Sequence, residues 1–226
     1  MGVDAYLVGL ALLIALLVDA FSDPLIGYFS DNTHHKWGRR HPFMYAAAIP
    51  VAVSYFFMWN PPASLSGNDL FPYIVMLAIV VRTMITMFEI PNSALVAEMT
   101  DDYDERTSIL SYRFFFGWAG GTFMGFFALT YLLVPTDTIA NGLFNLQGYG
   151  QMGLVSSIVI FIAIMASSLG THSFIPNLKM APPKTKLSVA RIYKDISETL
   201  WNRSFATLFA AALFGAIGTG VATGLS

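Results

Sequence analysis

Long apolar segments alternate with short polar turns along the chain. A helix that crosses a bilayer needs roughly 20 mostly apolar residues. About six segments meet or approach that length, and their bounds are Ala5–Phe29, Pro42–Trp59, Pro72–Val96, Ile109–Val134, Gly150–Ile175 and Phe205–Ser226. The turns between them are rich in Pro, Gly, Asn and Asp, which favour loops. The pattern predicts an all-α fold, a polytopic membrane helical bundle with about six transmembrane helices.

Composition favours a membrane protein over a soluble one. Hydrophobic residues fill 55% of the 226 positions and charged residues 12%, whereas a soluble domain has about 45–50% and about 25%. A net charge of −2 provides no basic field for nucleic acid, which we therefore do not expect as a partner. The chain has no cysteine, which excludes disulfides and cysteine-based metal sites. His34, His35 and His41 share one short basic loop, where we expect a solvated turn rather than a metal site.

Basic residues are concentrated at every second connection. Residues 30–41 carry three, 98–113 carry two and 176–204 carry six, which together are 11 of the 12 Lys and Arg residues. The connections 60–71 and 135–149 carry none. The positive-inside rule predicts that the basic connections are cytoplasmic and the other two external. This orientation places Met1 outside without a signal sequence before it, so we expect an earlier helix and a chain truncated at both ends.

Residues 176–203 form the longest polar stretch of the sequence. An extended break at Met180–Lys184 precedes Ser188–Trp201, whose apolar residues at 189, 192, 196 and 200 fall on one stripe. That spacing predicts an amphipathic helix on the membrane surface, linking two bundles.

Four charged residues fall at membrane depth within the predicted spans: Asp19, Asp23, Arg82 and Glu89. Each charge at a helix centre costs about 2.5–3.5 kcal/mol on insertion scales, so such groups usually have a function. Asp19 and Asp23 are four residues apart and share a helical face. Pro24 cannot donate to the carbonyl of Ala20, and Ser22 offers a hydroxyl. Carboxylates and a free carbonyl are hard oxygen ligands, which predicts a site for Na⁺ or H⁺.

The third apolar segment repeats this arrangement. Arg82, Thr86 and Glu89 are spaced by four and three residues and share a face, and Pro91 frees another carbonyl. A direct pair between Arg82 and Glu89 would span two turns, about 10 Å, and would require both side chains to bend. With three acidic groups against one basic group, the spans are predicted to bind a cation.

Two sequence blocks carry a resemblance to a known family. The first comprises DAFSDPLIG at 19–27, SD at 30–31 and KWGRRHP at 36–42, and the second comprises FEIPNSALV at 88–96, EMTDDYDERT at 98–107 and YR at 112–113. At this spacing they resemble the glycoside-pentoside-hexuronide:cation symporters of the major facilitator superfamily, the group of melibiose permease. The likeness covers nearly the whole chain, from the second helix of the family into its seventh.

The resemblance implies a twelve-helix transporter with two six-helix halves and a central site between them. Residues 1–175 would then be the N-terminal half without its first helix, and 176–203 the cytoplasmic linker between halves. Residues 204–226 would be the truncated first helix of the C-terminal half. The expected fold is therefore an incomplete bundle of the major facilitator type.

The resemblance also implies roles for individual residues. Asp19 and Asp23 would hold the coupling cation, with Thr86 and Ser22 contributing, and no other metal or cofactor is expected. Glu89 stands at a sugar-binding position and Arg113 at that of an arginine near the sugar, and we add Arg82 to this solute site. The gating motif of the superfamily, an anchor between helices on the cytoplasmic side, maps onto Gly27, Asp31, Gly38, Arg39 and Arg40.

Three departures from melibiose permease leave the ion and the solute open. Ser22 replaces an asparagine of its sodium site, Ser93 replaces a tryptophan that packs against the sugar, and Arg82 has no basic counterpart there. Sodium and protons therefore both remain candidates for the coupling ion.

The leading functional hypothesis is a secondary active transporter for cation-coupled symport of a sugar or glycoside, multi-pass in a bacterial inner membrane. Its partners would be the solute, the lipid bilayer and the missing remainder of the transporter. The alternatives are a symporter of the same fold for a lysolipid and a non-transporting membrane fragment. An intramembrane enzyme using Asp19, Asp23 and Glu89 is disfavoured, because no nucleophile or metal-ligand spacing accompanies them.

Overall fold

A computed structural model describes residues 2–137, 139–178 and 201–224. The long helices are α1 (Ala5–Asn32), α2 (His41–Trp59), α3 (Leu70–Met99), α4 (Tyr103–Phe127) and α5 (Leu146–Gly170), followed by a separate helix at Arg203–Gly224. Within these residues the only β pairing is an isolated bridge between Thr136 and Ile139. The predicted all-α bundle is confirmed. The amphipathic helix predicted at Ser188–Trp201 falls almost entirely outside the described residues.

Two helices begin earlier than the apolar pattern predicts, because polar residues cap them. The Asp102 side chain accepts a hydrogen bond of 2.8 Å from the backbone N–H of Glu105, so α4 starts at Tyr103 instead of Ile109. A carboxylate at this position also interacts favourably with the helix dipole. The Asn145 side chain likewise accepts a hydrogen bond of 3.3 Å from the N–H of Gly148, so α5 starts at Leu146 instead of Gly150.

The far ends of these two helices also depart from the prediction. Helix α5 ends at Gly170, five residues before the predicted Ile175, and continues as a 3₁₀ segment over His172–Asn177. Pro176 has no N–H to continue an α-helical ladder, and its ring restricts the preceding residue. After α4 the chain makes one π-helical turn at Ala128–Leu132 before Pro135.

Helix α3 packs between α1 and α2, and α2 packs in turn against α5. The core between them is built from small and medium side chains, namely Ala47, Ala48, Val51 and Ile164. Gly153 allows α5 to approach α2 closely, because a Cβ at that position would overlap the Cβ of Trp59. Helix α4 has no buried residue, so its apolar surface is left uncovered by the described chain.

The side-chain contacts separate the two ends of the bundle. At one end, Trp59 stacks on Tyr149 with ring centroids 5.6 Å apart, and the Asn60 amide donates to the carbonyl of Gly150. At the other end, His41 lies 3.1 Å from the Thr171 hydroxyl. The connections without basic residues, 60–71 and 135–149, therefore share one end, and the basic connection 30–41 lies at the opposite end, as the alternation of charge requires.

In the part of the chain that the structure describes, five helices are long and apolar enough to cross a membrane, and they correspond to the first five predicted spans. The sixth predicted span falls on Arg203–Gly224, of which only a shorter apolar part, Arg203–Gly215, is identified among the described residues. Large apolar side chains point outward along these helices, among them Leu16, Ile49 and Phe116. A bilayer suits such a surface, whereas water does not, and the chain is a multi-pass membrane protein.

The chain divides into two compact units, residues 1–182 and 183–226. Helices α1–α5 and the charged residues predicted within the spans all belong to the first unit. The assignment of 1–175, 176–203 and 204–226 to a half, a linker and a second half stays a prediction.

Candidate cation and solute site

Asp19 of α1 is paired with a basic residue from a different helix. Helices α1 and α3 run side by side, and the Arg82 Nε donates a hydrogen bond to the Asp19 Oδ2. The Asp19 side chain is 9% exposed and the Arg82 side chain 43%. The second oxygen of Asp19, Oδ1, is buried and has no hydrogen-bond partner. Asp19 is therefore half satisfied, by a guanidinium whose other face remains accessible.

Asp23 lies one turn further along α1 and has no such partner. Its Oδ1 is buried without a hydrogen bond, and no ion pair involves it among the described residues. Together with Thr86, Glu89 and Ser93 of α3, it lines an open cavity of about 610 Å³. A carboxylate with an oxygen shielded from water needs a positive partner or a proton, so among these residues Asp23 most requires a ligand.

Glu89 faces the same cavity from α3 and pairs across to α4. Its Oε1 lies 3.7 Å from an Nη of Arg113, with side-chain exposures of 61% and 33%. The structure thus brings together the two residues assigned to the solute. Arg82 pairs with Asp19 and not with Glu89. This agrees with the separation of about two helical turns between Arg82 and Glu89.

The balance of charge at the site differs from the three acidic groups against one basic group that the sequence predicts. Arg113 supplies a second positive group, so three carboxylates face two guanidiniums and one negative charge remains. That excess resides at Asp23. The oxygens available around it suit one small monovalent cation or one proton. The Ser22 hydroxyl is directed to the backbone, donating to the Asp19 carbonyl at 3.4 Å. The solute role assigned to Arg82 stays a prediction.

A second charged cluster joins the loop between α1 and α2 to the end of α3. Gly38 adopts a φ of 73°, a left-handed value that favours glycine. The turn presents Arg39 and Arg40 to Glu98, whose Oε1 accepts from both guanidiniums, including a 2.9 Å bond from the Arg40 Nε. Asp31 completes the cluster at 3.2 Å from an Nη of Arg40. Four of the residues expected in the gating motif therefore meet at one place.

The fifth residue expected in the gating motif, Gly27, lies about one helical turn before Asp31 on α1. A Cβ there would meet the Ile90 side chain at 3.7 Å, an ordinary packing distance. Gly27 therefore belongs to the contact between α1 and α3 and not to the charged cluster itself.

Glu98 was not assigned a role on sequence grounds, although it lies within the second family block. Its side chain is 5% exposed, and it is the shared acceptor of the cluster. The sequence did carry a signal for it. A carboxylate in the last turn of a helix is repelled by the helix dipole, which indicates that a nearby basic group stabilises it.

The expectation of a solvated histidine turn is wrong for His41. This residue is fully buried at the start of α2, with its Nε2 against the Thr171 hydroxyl. Tyr45, one turn on, bonds through its hydroxyl to the His172 Nδ1 at 2.9 Å. The reason is that α2 and the end of α5 close over this position. Among the described residues, no group of three or more potential metal ligands occurs.

This membrane protein therefore combines apolar spans, carboxylate oxygens that are buried without a hydrogen-bond partner, and an open cavity beside them. The sequence profile of the family described as MFS/sugar transport protein matches residues 1–226, the whole chain. The chain belongs to this family, and the resemblance to cation symporters of the major facilitator superfamily is confirmed.

Individual relatives are similar to the chain over much of its length. A protein named as an uncharacterized symporter in Synechocystis is 35% identical over 175 residues, covering 74% of this chain and 31% of that protein. The isoprimeverose transporter of Lactiplantibacillus pentosus is 27% identical over 194 residues, covering 84% and 40%. The sodium-dependent lysophosphatidylcholine symporter 1 of Gallus gallus is 29% identical over 111 residues, covering 49% and 21%. The chain therefore spans less than half the length of these relatives, all of which are named as transporters.

Proposed function

We propose that the protein works in secondary active transport, as a cation-coupled symporter of a sugar or glycoside in a bacterial inner membrane. The observation that carries the proposal is the buried, unpartnered carboxylate oxygen of Asp23 beside a cavity that also holds Glu89. A symporter requires that a cation and a solute each bind more favourably when the other is present. A shared cavity with one unbalanced charge meets this requirement.

The cation would bind at Asp23, with Thr86 and the free Oδ1 of Asp19 as further oxygen ligands. Ser22 would act indirectly, because its hydroxyl donates to the Asp19 carbonyl. A proton could take the same position by neutralising Asp23. Either ion removes the one excess negative charge from the cavity, which is a cost that the empty site bears in a low-dielectric surrounding.

The solute would bind at Glu89 and Arg113. Their 3.7 Å separation is longer than a direct hydrogen bond, so a sugar hydroxyl beside the pair could accept from Arg113 and donate to Glu89. A carboxylate accepts from hydroxyls and a guanidinium donates to them in a planar fork. Ser93 beside them is small and polar, which leaves room for a second ring or a substituent.

A lysolipid is a second candidate solute, favoured by the relative that is named as a lysophosphatidylcholine symporter. Its phosphate would bind to Arg113, and its acyl chain would need an apolar path from the cavity. The paired charges and Ser93 on the described wall favour a hydroxyl-rich solute instead.

Cytoplasmic gating would depend on the cluster of Asp31, Arg39, Arg40 and Glu98.

The test uses the protein as its gene encodes it, reconstituted in proteoliposomes. Labelled β-glycosides and a labelled lysolipid are offered with an inward Na⁺ gradient, an inward H⁺ gradient or no gradient. Gradient-driven accumulation of a glycoside is expected, and Asp23→Asn should abolish accumulation while downhill exchange of solute survives. Accumulation that needs no cation gradient, or that is unchanged in Asp23→Asn, would contradict the proposal. Uptake of the lysolipid but of no glycoside would show that the lysolipid is the transported solute.

A further inference from the structure

Arg82 is the charged residue within the spans that the proposed roles do not explain. It pairs with Asp19 across α1 and α3, while Glu89 of its own helix pairs with Arg113 of α4. The other basic side chains near the charged residues of α1 and α3 have carboxylates of their own in the described chain. Arg39 and Arg40 bind Asp31 and Glu98.

The pair is unequal in exposure, and that decides which partner can leave. Asp19 is nearly buried, so its charge cannot remain in a low-dielectric surrounding without a positive neighbour. The Arg82 side chain is 43% exposed, so the guanidinium can leave Asp19 and be solvated. A buried anion held by a mobile cation on a long side chain is an exchangeable ion pair.

We propose that Arg82 is a tethered cation that competes with the coupling cation for Asp19. This inference rests on the proposed function, since it concerns the affinity of the same cation site. With Arg82 in place, Asp19 is neutralised and the incoming cation is held chiefly by Asp23. The site then binds one cation weakly enough to release it to the cytoplasm in each cycle.

The proposal explains the charge balance of the three carboxylates and two guanidiniums of the candidate site. Three carboxylates with one guanidinium would leave two negative charges and favour tight binding of more than one cation. With both Arg82 and Arg113 paired, one negative charge remains. One monovalent cation then restores neutrality. Arg82 is accordingly a specificity-determining residue that sets the number and affinity of bound cations through Asp19.

The test measures cation binding directly, by calorimetric titration of Na⁺ into purified protein without solute. Arg82→Gln should tighten Na⁺ binding by about tenfold or more, because a second free carboxylate near the site adds Coulomb attraction. The double variant Asp19→Asn/Arg82→Gln removes both charges and should bind Na⁺ about as the unmodified protein does. Asp19→Asn alone should bind it more weakly, because Arg82 is then free to pair with Asp23.

Arg106→Gln provides the matched control. Arg106 donates to the Thr100 carbonyl at 2.9 Å, outside the cavity, so its loss removes a positive charge without freeing a carboxylate there. Sodium affinity in Arg106→Gln should equal that of the unmodified protein. If Arg82 has only a structural role, Arg82→Gln lowers the melting temperature and leaves the affinity unchanged or weaker, which overturns the inference.

If Arg82→Gln fails to fold, the double variant still tests the inference. The double variant keeps the net charge of the pair, and a Na⁺ affinity well below that of the unmodified protein would also overturn the inference. Absence of Na⁺ binding in both the unmodified protein and Arg82→Gln overturns it too. The proposed function fails separately, when proteoliposome uptake responds to no cation gradient.

Discussion

Replacing Glu98 with glutamine should loosen the loop between α1 and α2 from the end of α3. Glu98 is 5% exposed and accepts from Arg39 and Arg40, which are 15% and 7% exposed. The substitution leaves two nearly buried guanidiniums with Asp31 as their only carboxylate among the described residues, and Asp31 is 49% exposed. Removing one partner of a buried ion pair costs about 3–5 kcal/mol. Because glutamine keeps an acceptor oxygen, we expect a loss near the lower end of that range.

The loss should appear as easier opening of this end of the bundle. About 3 kcal/mol corresponds to roughly a hundredfold larger open population, since about 1.4 kcal/mol is a factor of ten. The chain has no cysteine, so a single reporter can be introduced at Ser30, which is fully buried one residue before the cluster. Maleimide labelling of Ser30→Cys should become faster by about that factor in Glu98→Gln, provided that opening limits labelling.

Glu105→Gln is the matched control for this experiment. Glu105 lies in the first turn of α4, bonded to Thr100 in an exposed position, and its charge contributes only about 0.3–1 kcal/mol through the helix dipole. Equal labelling rates and equal melting temperatures in Glu98→Gln and Glu105→Gln would refute the reasoning, because the cluster would then not hold this end closed.

Three further predictions concern topology, solute binding and packing. Single cysteines at Lys36 and Gly67 should be labelled from the cytoplasmic and the external side respectively, and external labelling at position 36 would contradict the orientation taken from the basic residues. Glu89→Gln should weaken glycoside binding by about tenfold or more while changing Na⁺ binding less, as measured by calorimetry; the opposite order would exchange the roles of the two sites. Gly153→Leu should lower the melting temperature by several degrees, since its side chain would overlap Trp59, and an unchanged value would show that α2 and α5 can separate at no cost.

Much of the fold follows from local pattern. A run of about 20 apolar residues has few alternatives to a spanning helix, because the bilayer leaves no other partner for its backbone polar groups. Each of the first five predicted segments accordingly matches a helix. The bounds were less predictable, since Asp102 and Asn145 extend α4 and α5 into polar sequence through capping bonds that hydropathy does not register.

The candidate site was likewise predictable only in part from the sequence. The sequence alone placed Asp19 and Asp23 on one face of a helix, placed Thr86 and Glu89 on one face of another, and indicated that buried charges there need partners. It could not decide which partners, because same-face spacing within a helix contains no information on which faces of different helices meet. The pair of Asp19 with Arg82 exists because α1 packs beside α3.

The tertiary structure decided the remaining assignments for the same physical reason. Glu98 becomes the centre of a charged cluster only when the turn at Gly38 carries two arginines to the end of α3. His41 changes from a solvated loop residue to a buried one only when the end of α5 covers it. Hydropathy and helical period depend on neighbours a few positions away, whereas the energy of a buried charge or ring depends on groups brought close from distant parts of the chain.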